Sequence, residues 1–206
     1  MNQQMSTVTT RTTIIREFLK LVREKHFSAI TVNEICEKSS ISRRTFYRYY
    51  TDKQALLKDV YLECFFSKIE ITENDDFWNI FAKICEQIYS DKKFFKHAFE
   101  VKGQNGFWEE ASNILTPYFV CEAPSYDFLD EMKAYFVATD LNRMFHLIEG
   151  WIASGMHQNA KEFSSFIRTN YYIYGKWTCQ LASKQERSTF TKEIFTDLDD
   201  YLRDNK

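Results

Sequence analysis

Nine consecutive positions, Ser42 to Tyr50, hold three arginines, a threonine and four aromatic residues. At helical spacing these types divide between two faces. Phe46 and Tyr50 are four apart, so they share a face and point inward against Val22, Ile35 and Ile41. Arg43, Arg44, Thr45, Tyr47, Arg48 and Tyr49 then face outward. Three cations and two phenols on one exposed surface suit a polyanion. A guanidinium pairs with phosphate and, bidentately, with the major-groove edge of guanine; a threonine methyl meets the thymine methyl; hydroxyls donate to phosphate. Arg44 and Thr45, near the helix start, are placed to touch base edges. Ser42, Tyr47 and Lys53 are placed for phosphates, Lys53 beside the free N–H groups that open the next helix. With Thr31, which starts the preceding helix, the expected DNA-contacting set is Thr31, Ser42, Arg43, Arg44, Thr45, Tyr47, Arg48, Tyr49 and Lys53.

The neighbouring residues supply the elements that hold such a helix. A first helix is expected from about Arg11 to Lys25-His26, with Ile14, Ile15, Phe18, Leu19 and Val22 on one face and Phe27 closing over the core. Residues 1–10 are expected as a disordered arm. Thr31 caps a second helix, with Glu34 three positions on to complete a capping box, and Ile35 and Cys36 face inward. Ser39-Ser40-Ile41 is the turn. Ser42 caps the cationic helix, Arg43 to about Tyr49. Asp52 caps a fourth, in which Leu56, Leu57, Val60, Tyr61, Cys64 and Phe65 recur at helical spacing.

The segments Ile30-Thr31-Val32-Asn33-Glu34-Ile35-Cys36, Ser39-Ser40-Ile41-Ser42, Thr45-Phe46-Tyr47-Arg48-Tyr49-Tyr50 and Asp52-Lys53-Gln54-Ala55-Leu56 together form a recognisable series. Residues 11–66 resemble the DNA-binding domain of the TetR family of transcriptional regulators. One departure stands out: the family's turn glycine is Ser40 here, which must take a backbone conformation that glycine adopts more easily. The later stretch Phe94 to Phe107, with Trp151-Ile152-Ala153-Ser154-Gly155, resembles the C-terminal part of the DhaS-like members, some of which are activators that answer to protein partners. The resemblance implies an all-α homodimer. An N-terminal helix-turn-helix domain (11–66) would bind a palindromic double-stranded operator, and a C-terminal helical bundle (67–206) would dimerise and respond to a small-molecule or protein effector. No cofactor and no catalysis are expected.

Only 2 prolines and 5 glycines occur in 206 residues, which favours long helices. Helical patterns are expected from Asp75 or Asp76 through Ile88, Lys92–Glu100, Trp108–Phe119, Tyr126 to about Gly155, Lys161 to about Ala182, and Glu186–Lys206, with a loop at Cys121–Ser125. Met144, Phe145, Ile148, Trp151 and Ile152 make one apolar stripe; Phe163, Phe166, Ile167, Tyr171, Tyr174 and Trp177 make another. These two helices are the expected dimer seam, as a four-helix bundle between subunits, the competing reading being that the stripes only fill the core of the single chain. Candidate effector-pocket residues are His97, Glu100, Gln104, Asn105, Tyr135, His146 and Glu149.

Charge is uneven. Residues 1–68 carry 12 Lys+Arg against 7 Asp+Glu, and residues 69–206 carry 15 against 22, so a basic head sits on an acidic body. The five cysteines (Cys36, Cys64, Cys85, Cys121 and Cys179) show no CxxC spacing and read as free thiols of a reducing cytoplasm. A zinc-responsive regulator of the same fold is the alternative, with Cys85, His97, Cys121, His146, Glu149 and His157 as candidate ligands. None sits at the close spacing typical of a metal site. No GxSxG, phosphate loop or dinucleotide fingerprint occurs, and no run of about 18 apolar residues predicts a membrane span.

Overall fold

The computed structural model describes residues 2–99, 106–122 and 130–182, with side chains described for 10–99, 106–120 and 137–174. Among these residues every regular element is helical. The chain divides into two compact units, Met1–Ser164 and Ser165–Lys206. Of the second, the described part is the continuation of the last helix.

The first unit opens with α1 (Asn2–Glu24), which takes in residues expected as an arm, because no proline or glycine before Arg11 stops the helix. Ile14, Ile15, Phe18, Leu21 and Val22 are its buried stripe. After a single 3-10 turn at Phe27–Ala29 come α2 (Val32–Lys38), α3 (Arg43–Tyr49) and α4 (Lys53–Val60). Beyond Val60 the chain keeps winding, first as a wide π turn at Tyr61–Phe65 and then as a 3-10 turn at Phe66–Lys68.

α5 (Phe77–Ser90) starts where Asp76 accepts from Asn79 N at 2.6 Å, and α6 (Lys92–Ala98) where Asp91 accepts from Phe94 N at 3.2 Å. α7 (Phe107–Glu122), α8 (Asp130–Ala153) and α9 (Ala160–Ala182) follow. The expected helix at Glu186–Lys206 lies outside the described residues.

An aromatic core spans the expected boundary at 66/67. Tyr61, Phe94, Phe95 and Phe107 are each under 3 % exposed, and the Tyr61 hydroxyl donates to Ala98 O at 3.1 Å. Phe66 stacks on Phe107 at 4.7 Å and Phe65 meets both Phe94 and Phe95 at 4.8 Å. Such pairs add to area burial, so the helix-turn-helix residues and the first body helices pack as one unit. α1 is also tied to α6: Arg23 Nε donates to Asp91 at 2.8 Å, and His97 Nδ1 donates to Val22 O at 2.8 Å, at the C-terminal end of α1.

The turn between α8 and α9 is closed by Gly155 N donating to Ile152 O and Met156 N to Trp151 O, with φ of 92° at Gly155 and 53° at Met156. Trp151 lies between Phe163 (4.2 Å, 4° between planes) and Tyr89 (6.0 Å), and its Nε1 donates to Gln158 O at 3.0 Å. Asn159 and Glu162 exchange backbone-to-side-chain bonds at 2.9 and 3.0 Å, a reciprocal box that opens α9.

The α8 stripe proposed for a subunit seam fills the core of the single chain instead. Met144, Phe145, Ile148, Trp151 and Ile152 are all buried without a partner molecule. On α9 the set splits: Phe163 and Ile167 are buried, whereas Phe166 and Tyr174 are 52 % and 45 % exposed. Spacing alone cannot say which of two apolar faces meets the chain's own core. Trp177 lies outside the described side chains.

Candidate nucleic-acid interface

Three caps build the α2–turn–α3–α4 segment. Thr31 Oγ1 accepts from Glu34 N at 3.2 Å, Ser42 Oγ from Thr45 N at 3.1 Å, and Asp52 Oδ1 from Ala55 N at 2.8 Å. Each satisfies an N–H that a helix start leaves open. The expected capping box at Thr31 is half made, since the Glu34 carboxylate takes Lys25 Nζ at 2.7 Å. The turn is shaped by Ser40 N donating to Glu37 O (3.1 Å) and Ile41 N to Cys36 O (2.9 Å), with Ser40 in the left-handed region at φ 54°. The departure from glycine therefore falls on the position that would most favour glycine.

Phe46 is fully buried and Tyr50 is 6 % exposed, so the two anchors of α3 face inward as their spacing requires. Tyr50 is tied further: its hydroxyl donates to Asp59 Oδ2 at 2.7 Å, and Arg11 donates to the same oxygen at 2.7 Å while also reaching Glu63. This links α1, α3 and α4 behind the exposed face.

On that face the three cations are held differently. Arg43 Nη1 donates to Asn33 Oδ1 on α2 at 2.8 Å and its Nη2 to the Tyr47 hydroxyl at 3.3 Å. Arg48 donates to the Tyr49 hydroxyl at 3.3 Å and lies 5.1 Å from the centre of that ring. Arg44 is exposed and has no hydrogen bond or ion pair with any described residue. Thr31 and Ser42 are exposed, Thr45 is half-buried with its hydroxyl 3.0 Å from Ser42 Oγ, and Tyr47 is 48 % exposed.

Lys53 departs from its expected role. Its ammonium donates to Phe27 O (2.9 Å), Ser28 O (3.2 Å) and Ile30 O (2.7 Å), the carbonyls of the connection into α2. Burial pulls its pKa below the usual lysine range. All three of its donors are used inside the protein, so none is left for a phosphate.

Residues 14–60 match the family model described as bacterial regulatory proteins, tetR family, and residues 75–171 match one described as transcriptional regulator C-terminal region. The chain belongs to the TetR family. As a TetR-family regulator it is a helix-turn-helix DNA-binding protein and not an enzyme. Among solved structures it is similar in fold to the dihydroxyacetone kinase operon activator DhaS, at 17% identity over 79% of this chain and 93% of that one, with a TM-score of 0.56. It is likewise similar to a TetR transcriptional regulator from Streptococcus agalactiae 2603V, at 16% identity over 82% of this chain and 97% of that one, with a TM-score of 0.63. No curated protein matches it by sequence.

The effector candidates of this TetR-family chain are not gathered into one described site. His97 spends Nδ1 on Val22 O and packs against the His26 ring at 4.7 Å. His146 and Glu149 bond each other at 2.8 Å, with the His146 side chain 69% exposed. Glu100, Gln104, Asn105 and the side chain of Tyr135 lie outside the described residues. The zinc alternative finds no support. Cys85 is buried in the core, where burial pushes its thiol up, and no group of three or more His, Cys, Asp or Glu among the described residues is arranged to hold a metal. The Cys121 side chain lies outside the described set. No helix among the described residues is long and apolar enough to cross a membrane.

Two participants escaped the sequence argument. Asn33 sits ten positions before Arg43, and Asp59 nine after Tyr50. Neither separation is a helical repeat within one element, so only the packed fold brings these pairs together.

Proposed function

We propose that this protein reads a palindromic DNA operator as a homodimer, with α3 in the major groove, and that an effector of residues 67–206 sets its DNA affinity. The observation that carries the reading is the exposed Arg44 in the first turn of α3. Two guanidinium groups at a helix N-terminus oppose the macrodipole. Arg43 is compensated by Asn33 and Tyr47, whereas Arg44 has no such partner among the described residues. A guanine edge would supply the acceptor that Arg44 lacks.

Around it, Arg43, Arg48, Ser42, Thr31, Thr45, Tyr47 and Tyr49 are the proposed backbone and secondary base contacts. Lys53 is left out, because its donors are committed to carbonyls. A two-fold dimer would set the two recognition helices roughly 34 Å apart, one turn of duplex. Phe166 and Tyr174, eight apart on one face of α9 and exposed in the single chain, support that helix as part of the subunit contact. The effector would act by binding one head spacing more tightly than another, a population shift. The Val22–His97 and Arg23–Asp91 bonds between α1 and α6 support a body able to move the head. Such a regulator works where the chromosome is, in the cytoplasm.

The test is selection by the purified protein from random duplexes at low ionic strength. Enrichment of an inverted repeat is expected; recovery of no enriched site overturns the proposal.

A further inference from the structure

We infer that Asn33, on α2, is a positioning residue that decides which arginine of α3 reads the operator. This rests on the DNA-reading role proposed above and deepens it. Asn33 Oδ1 accepts from Arg43 Nη1 at 2.8 Å while the Tyr47 hydroxyl takes Nη2 at 3.3 Å, so the guanidinium of Arg43 is held from two helices. Arg43 and Arg44 are adjacent, both exposed, and chemically identical. What separates them is this pair of acceptors. A fork fixed against α2 and its own helix has spent donors it would need for a bidentate grip on guanine, whereas Arg44 keeps all five.

The location fits the role. Asn33 and Arg43 both line an open depression of about 380 Å³ between α2 and α3, with Cys36, Glu37, Ser40 and Ile41 completing it. The Asn33–Arg43 bond therefore spans the seam of the helix-turn-helix. Without Asn33 the guanidinium keeps only the Tyr47 hydroxyl and ring on its own helix, and, repelled by the helix dipole in the first turn of α3, it is freer to swing outward. Removing Asn33 thus gives α3 a second mobile arginine beside the first, and two competing readers blur the base preference.

The experiment measures base-preference profiles, by competition against singly substituted duplexes, for wild type, Asn33→Ala, Arg43→Ala and the double variant, each checked for an unchanged melting temperature. Asn33→Ala should lower discrimination at one or two base pairs by roughly fivefold or more, in line with a single bidentate contact. The same change made on the Arg43→Ala background should have no effect on the profile. Asn33→Asp keeps the acceptor oxygen and should keep the wild-type profile even as its added negative charge weakens binding to all duplexes. The inference is overturned if Asn33→Ala leaves the profile unchanged, or if it alters the profile equally with and without Arg43, which would make Asn33 a direct DNA contact. Absence of any base preference in the wild type would instead remove the DNA-reading proposal itself.

Discussion

The Tyr50 hydroxyl donates to Asp59 Oδ2 at 2.7 Å, joining the end of the recognition helix to the last turn of the helix that follows it. Arg11 donates to the same oxygen, so Asp59 keeps a cation if the phenol is lost. Tyr50→Phe should therefore cost only about 1–2 kcal/mol, read as a lower denaturant midpoint. The pH dependence is more telling. Burial first, and then the bond to Asp59, push the Tyr50 hydroxyl far above the usual phenol range, and burial does the same for Tyr61. A raised phenol keeps its proton in the folded state while the unfolded chain releases it above about pH 10. The stability they confer is complete below that pH and falls as pH rises, by about 1.4 kcal/mol per unit for each such tyrosine. Tyr50→Phe should flatten the alkaline loss; an alkaline slope identical to wild type would contradict this.

Lys53→Ala should behave as a stability variant. Three carbonyls lose a charged donor, and the unfolding free energy should drop by about 1–3 kcal/mol. The dependence of DNA affinity on salt should stay as in wild type, because no phosphate contact is removed. A slope shallower by about one would show instead that Lys53 leaves its carbonyls for the backbone of DNA.

Arg44→Ala should cost about 1–3 kcal/mol against the preferred duplex and little against one already substituted at the contacted guanine. Competition gel shifts on the two duplexes give the comparison, and equal losses on both would assign Arg44 to phosphate.

The α2–α3 turn can be improved. Ser40 holds φ 54°, and Ser40→Gly should stabilise by up to about 1 kcal/mol. Ser39 Oγ is buried without a hydrogen-bond partner among the described residues, so Ser39→Ala should be neutral or stabilising. Thermal melts of both decide; a destabilised Ser39→Ala would reveal an acceptor or water that serves the hydroxyl.

Two helices should separate folding from assembly. Ile148 is fully buried on α8, and Ile148→Ala should cost about 2–5 kcal/mol of unfolding free energy. Phe166 is exposed on α9, and Phe166→Glu should leave the melt of the single chain nearly intact while shifting the sedimenting species toward monomer. A dimer that survives Phe166→Glu places the contact elsewhere.

Much of the head was legible because its signals are local. Thr31, Ser42 and Asp52 sit one residue before the helices they cap, and Phe46 and Tyr50 are one helical turn apart, so spacing alone gives their roles. The bonds Lys53 makes are not legible in its spacing, because the carbonyls it meets lie 23 to 26 positions earlier. The α8 stripe is legible as apolar but its partner is not, since burial against one's own core and burial against a second copy leave the same pattern. For the effector the sequence offered only polar residue types, and His97 shows how these mislead: its ring closes the end of α1.

The α1–α6 contact carries a practical consequence for engineering. Because Arg23 and Val22 are matched to Asp91 and His97, and Tyr61 is sunk among phenylalanines that belong to later helices, a chimera spliced near residue 67 would join surfaces shaped for different neighbours. Transplanting the operator preference onto a relative is better done by exchanging the few exposed side chains of α2 and α3 than by exchanging the whole head.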